Sequence, residues 1–105
     1  MIPVRFHEAA DEEVLAELGY LEMRQRGLGR RFLAEVRHAV GVIEQFPESG
    51  EEIRAGVRRR MLRRFRYSLI YALEPECALV VAVAHYSRRP DYWTDRLSAG
   101  DAGTS

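Results

Sequence analysis

The segment HYSRRPDYW, His85 to Trp93, follows directly on the apolar run ALVVAVA, Ala78 to Ala84. A strand built for burial thus ends in a histidine, two arginines and large aromatic rings. Histidine is the side chain best matched to proton transfer near neutral pH. Cleavage of RNA needs a base for the 2′-hydroxyl, cations that hold the crowded phosphate and an acid for the leaving oxygen. His85 with Arg88, Arg89 and Arg64 from the neighbouring strands can meet the last two demands. The base stays open, with Tyr86, Tyr92 or a glutamate as alternatives. The plainer reading of His85 is a hydrogen-bonded structural residue where a strand leaves the core.

A second chemistry-bearing stretch is RAGVRRRMLRRFRYSLIYAL, Arg54 to Leu73, which holds seven arginines and no acid. Such a face attracts a polyanion, with backbone phosphates as the obvious target. Arg58, Arg59, Arg60 and Arg63 are its candidate contacts, and Tyr86 and Tyr92 can stack on unpaired bases. The alternatives are edge protection and internal pairing with the acidic first helix. Trp93 reads as a lid over one end of the core, with Asp95 and Arg96 outside it. Tyr67, Tyr71, Phe65 and Met61 read as sheet packing.

Other chemistries lack their residues. Cys77 is alone, so it forms no internal disulfide or cysteine-based zinc site, and His7, His38 and His85 have no metal-ligand spacing. No phosphate-binding loop, dinucleotide fingerprint or nucleophile elbow occurs. No cofactor or metal is therefore expected. All 16 basic residues are arginine, which removes lysine as a general base.

The elements that must position these side chains are legible in outline. The 105 residues fit one domain, residues 1–97, followed by a flexible polar tail, SAGDAGTS, over 98–105. Hydrophobic residues make up 47% and charged residues 30%, the balance of a soluble globular protein. With no secretory leader and no apolar run long enough for a bilayer, the cytoplasm is expected, with no membrane partner. The net charge of zero hides an asymmetry. Residues 1–53 carry 6 Arg against 11 acids, or −5, and residues 54–105 carry 10 against 5, or +5.

After an extended start at Ile2 to Phe6 the chain turns helical. Glu8, Asp11, Glu12 and Glu13 complement the positive end of the helix dipole, and Val14, Leu18 and Leu21 mark a buried stripe. The glycines of RGLGRR break that helix. A second follows, with Phe32, Val36, Ala39, Val40, Ile43 and Phe46 at helical spacing, until Pro47 ends it. After the polar link PESGEEIRAG come three extended runs, Val57 to Leu62, Tyr67 to Leu73 and Cys77 to His85. The third is apolar on both faces and belongs inside the sheet; the first, rich in arginine, belongs at an edge. The result is an α+β fold. An N-terminal strand and an antiparallel helix hairpin pack on a mainly antiparallel sheet that a three-stranded C-terminal meander completes.

The order FHEAADEEV, GLGRRFLAEVRHAVGVIEQFPESG, VRRRMLRRFRYSLIYAL and VVAVAHYSRRPDYWTDR resembles the RelE/ParE superfamily of bacterial type II toxin-antitoxin modules, over residues 4–97. Relatives often carry Pro where this chain has Arg66. The resemblance implies a toxin with this fold, held in a hetero-oligomer by a cognate antitoxin that is small, acidic and partly disordered. It implies one of two targets. RelE-like members cut mRNA at the ribosome, whereas ParE-like members inhibit DNA gyrase without cleaving nucleic acid. The absence of lysine disfavours the lysine-using RelE site, which tilts the reading to ParE. A degenerate module that only binds its antitoxin is the third alternative.

Overall fold

The computed structural model describes residues 1–97. Strand β1 (Val4–Phe6) is followed by helices α1 (Glu8–Arg24) and α2 (Leu28–Gln45) and by strands β2 (Glu51–Arg54), β3 (Val57–Met61), β4 (Tyr67–Leu73) and β5 (Ala78–His85). The strands form one sheet in the order β1-β5-β4-β3-β2; β1 runs parallel to β5 and every other pairing is antiparallel. The predicted tail, residues 98–105, lies outside the described residues.

Local chemistry sets the helix ends. His7 caps α1: its Nδ1 accepts the Ala9 backbone N–H at 3.0 Å, satisfying a donor that the first turn leaves free. Between the helices, the Glu22 carboxylate accepts the Gly27 and Gly29 N–H groups at 2.9 and 3.0 Å, doing the same for the start of α2. A Cβ on Gly29 would stand 2.7 Å from the Leu18 carbonyl oxygen, so this glycine lets the two helices meet closely. Exchanging His7 for Ala is expected to lower stability by about 1 kcal/mol, and His7→Asp to retain most of it. Urea midpoints of the two variants check this; equal losses in both would show that the cap contributes nothing.

The helices cover one face of the sheet. Phe32, Val36, Ala39 and Ile43 of α2 and Ala10, Val14 and Leu21 of α1 pack on Tyr67, Leu69, Tyr71, Val80 and Val83. Leu18 is only half-buried and Phe46, at the C-cap of α2, is 60% exposed. Tyr71 is fully buried, and its hydroxyl donates to the Pro47 carbonyl at 2.7 Å and accepts the Gly50 N–H at 3.2 Å.

The polar link holds a strand that its composition does not announce. Glu51–Arg54 pairs with β3, so β2 is the sheet's edge and the arginine strand β3 is interior, contrary to expectation. The reason is cross-strand charge. Glu51 faces and bonds Arg59, an opposite-charge pair that stabilises the ladder, and Glu52 stands opposite Arg58 across a turn closed by Gly56 at φ 75°. The meander accordingly has four strands.

β5 is interior, as its two apolar faces require, but it is not regular. The pairing with β4 skips Val81, a bulge that turns both Val81 and Ala82 to the face away from the helices. There Trp93 closes a second apolar layer with Val57, Ile70 and Ala84. Trp93 is therefore a lid, but over the sheet's opposite face, not over an end of the helix-side core. Met61 does not pack: it is 54% exposed.

Candidate functional site

A line of rings leads from the core to the rim where β5 ends. Phe32 meets Phe65 and Tyr67 edge-on at centroid distances of 5.5 and 5.1 Å, and Tyr67 meets the His85 imidazole edge-on at 4.9 Å. His85 is thus held by packing. Its Nδ1 accepts the Ser87 backbone N–H at 3.0 Å and lies 2.8 Å from the Ser87 hydroxyl. An accepting Nδ1 places the proton of the neutral ring on Nε2.

Two clefts meet at this histidine. On the helix side, a cleft of about 630 Å³ runs between the C-terminal half of α1 and the β3–β4 loop, with Arg64 and Arg88 on its wall beside His85. Arg24 and Arg66 line it too, and sequence reasoning did not select them. Their common signal was absent from the chain order, because Arg24 belongs to the acidic half. Arg64 takes φ 69°, unusual for a residue with a Cβ. Inside the cleft the Tyr67 hydroxyl donates to Glu17 at 2.5 Å; burial, then that carboxylate, pushes the phenol far above its ordinary pKa. Tyr67 therefore keeps its proton and spends it in the hydrogen bond to Glu17.

On the opposite face, a smaller cleft of about 240 Å³ is lined by Arg59, Tyr86, Arg89 and Trp93, with His85 and Arg88 again at its border. Tyr92 does not offer a free ring here. The Arg88 guanidinium sits 3.8 Å from its centroid and Arg96 5.1 Å, and its hydroxyl donates to Glu13 at 2.8 Å. Burial and that glutamate push this phenol up as well. Tyr86 remains exposed.

Glu13 has a further task. β1 covers β5 only as far as Val80, and the strand edge beyond it would be open. The Glu13 carboxylate accepts the Val83 N–H at 2.9 Å, and Arg96 donates to the Val81 carbonyl at 2.9 Å while bonding Glu13 at 3.1 Å. A half-buried ion pair thus stands where a neighbouring strand would. Arg96 is not outside the lid, as its position in the sequence suggested; Asp95 is.

The arginine stretch divides. Arg58 donates to the carbonyls of Glu48 and Gly50, both at 2.8 Å, Arg60 to the Ser49 hydroxyl at 2.7 Å and Arg59 to Glu51 at 2.7 Å. Arg63 grips both oxygens of Glu35, which holds that carboxyl below its ordinary pKa. These four act on their own chain. Arg64, Arg66, Arg88 and Arg89 have no carboxylate partner among the described residues. No cluster of metal-ligating side chains occurs among those residues, and no helix is long and apolar enough to cross a membrane.

Residues 4–90 match the family model described as ParE toxin of type II toxin-antitoxin system, parDE. Among solved structures, a chain of the "Chromosomal ParDE TA system from P. aeruginosa" is similar with a TM-score of 0.69 at 14% identity, covering 81% of this chain and 96% of that one. At that identity the likeness speaks for the fold alone. Curated proteins gave no match.

Proposed function

This chain belongs to the family of ParE toxins of type II toxin-antitoxin systems, and from that premise we propose that it arrests growth by binding DNA gyrase in the cytoplasm, without cutting nucleic acid itself, until a cognate antitoxin neutralises it. The observation that carries this reading is that the cleft joining His85 to Arg64 and Arg88 gathers cations but no second proton-transferring side chain that is not already hydrogen-bonded, among the described residues. A ribonuclease centre needs a base, an acid and phosphate-holding cations within reach of one scissile phosphate. Here Tyr67 and Tyr92 donate to glutamates, Arg58, Arg59, Arg60 and Arg63 serve the fold, and His85 has only its Nε2 side free. Inhibition by surface contact makes no such demand.

An antitoxin has a surface to use. Phe6, Val14, Leu33, Val36 and Val40 line an apolar groove of about 430 Å³ along the helix hairpin, flanked by Asp11, Arg37 and Glu44. This is a shape that suits an amphipathic segment ordering as it binds.

The test combines two assays on the purified protein. Near-stoichiometric block of gyrase supercoiling is expected, retained by His85→Ala, together with intact mRNA 5′ ends in a reconstituted translation reaction. Cuts that require ribosomes and vanish in His85→Ala would replace this reading with a RelE-like endoribonuclease. Unimpeded growth when the protein is produced alone would instead point to a module without toxicity.

A further inference from the structure

The fold re-sorts the charge that the sequence divides by halves. Arg24 at the end of α1, Arg64 and Arg66 in the β3–β4 loop and Arg88 after β5 line one cleft, and Arg31 in the first turn of α2 shares a neighbouring hollow with Arg64. Four separate segments thus bring five arginines to the end of the molecule where the helix hairpin turns. All five are exposed, and none has a carboxylate partner among the described residues. The acids at this end are already engaged: Glu22 by Gly27 and Gly29, Glu35 by Arg63 and Glu17 by Tyr67. Many glutamates lie elsewhere, as with Glu44 and Glu48 at the far end of α2 and Glu74 and Glu76 in the β4–β5 turn.

We infer that this arginine-rich end binds the sugar-phosphate backbone of duplex DNA, independently of sequence. Guanidinium forks without a carboxylate partner match phosphate oxygens, and a concentration of them on one end of a neutral protein is the electrostatic footprint of backbone binding. Single-stranded nucleic acid fits less well, because it is gripped by stacking on free aromatic faces. In the cleft Tyr67 is buried and Tyr20 carries Arg24 on its ring, Tyr92 lies under Arg88, and the exposed Tyr86 belongs to the cleft on the opposite face. An acidic peptide would need an apolar anchor pocket as well. The apolar residues of the cleft, Leu21, Leu28 and Phe65, are instead the margin of the helix-side core and are packed against it. A toxin acting on an enzyme that holds DNA would then touch both protein and nucleic acid.

Duplex binding is measured without gyrase, so its failure and the failure of the gyrase reading are separable. The probe is a fluorescent duplex of about 20 base pairs titrated with the full chain; with roughly four phosphates neutralised, affinity should fall about 100-fold between about 50 and 200 mM salt. Arg64→Gln/Arg66→Gln should weaken binding about 10-fold or more and reduce the salt slope by about 2 for every duplex sequence tried. Arg24→Gln/Arg88→Gln should do the same, which guards against a folding defect in one pair, and Arg5→Gln/Arg54→Gln, away from this end, should change little. The inference is overturned by absence of binding at the lowest salt, by unchanged affinity in both pairs, or by tighter binding of a single-stranded RNA or a polyglutamate peptide of equal charge.

Discussion

Replacing Glu13 with Ala is expected to destabilise the protein by about 3 kcal/mol or more, an effect out of proportion to one residue in the first turns of a helix. Three groups lose their partner at once. The Val83 N–H and the Tyr92 hydroxyl are left without an acceptor, and the Arg96 guanidinium, only 16% exposed like Glu13 itself, keeps its charge without a counter-ion. Breaking one side of a desolvated pair costs more than the pair is worth, whereas removing both sides is milder. Glu13→Leu/Arg96→Met should therefore recover much of the loss. Chemical denaturation measures the stabilities. Trp93, the single tryptophan, reports the local consequence, since the segment that Arg96 anchors also carries the lid. A red-shifted emission in Glu13→Ala under native conditions is expected. A variant as stable as the parent would mean that the pair does not close the β5 edge.

Phe32→Ala should cost about 3–5 kcal/mol, because Phe32 is fully buried and the cavity cannot be filled by neighbours already in ring-to-ring contact. For a domain of this size that is a fall in melting temperature of roughly 15–30 °C. The consequence should extend to the rim, because Tyr67 lies between Phe32 and His85. Phe32→Leu, which retains most of the volume, should cost clearly less and leave the His85 environment intact. Calorimetry gives the first quantity and imidazole chemical shifts the second. A loss below about 1 kcal/mol for Phe32→Ala would show that the helix-side core can close over the gap.

The two helices were legible because their signals are local. The period of Phe32, Val36, Ala39 and Ile43, the glycines of RGLGRR and the stop at Pro47 all act within a few residues, and the structure uses each of them. β5 was legible for a similar reason, since a run apolar on both faces can only be interior. β2 was not. Glu-Glu-Ile-Arg, with Ile53 as its single strand-favouring residue, is too short and polar to announce a strand and becomes extended because arginines of β3 stand opposite its acids. The pairing of Glu51 with Arg59 was in principle readable as an acidic run and a basic run folded about Ala55-Gly56.

For the candidate site, the sequence by itself determined the inventory: a histidine at a strand end, arginine in place of all lysine, and a cluster of rings after the last strand. Tertiary structure alone decided which of these are free to act. It bound Arg58, Arg59, Arg60 and Arg63 to nearby backbone and side-chain acceptors, brought Glu13 to residues 70 and 79 positions away, and joined Arg24 from the acidic half to Arg64, Arg66 and Arg88. The physical reason is range. Helical period and turn chemistry operate between neighbours in the chain, whereas a charge is made available or spent by whatever the fold places within about 4 Å of it.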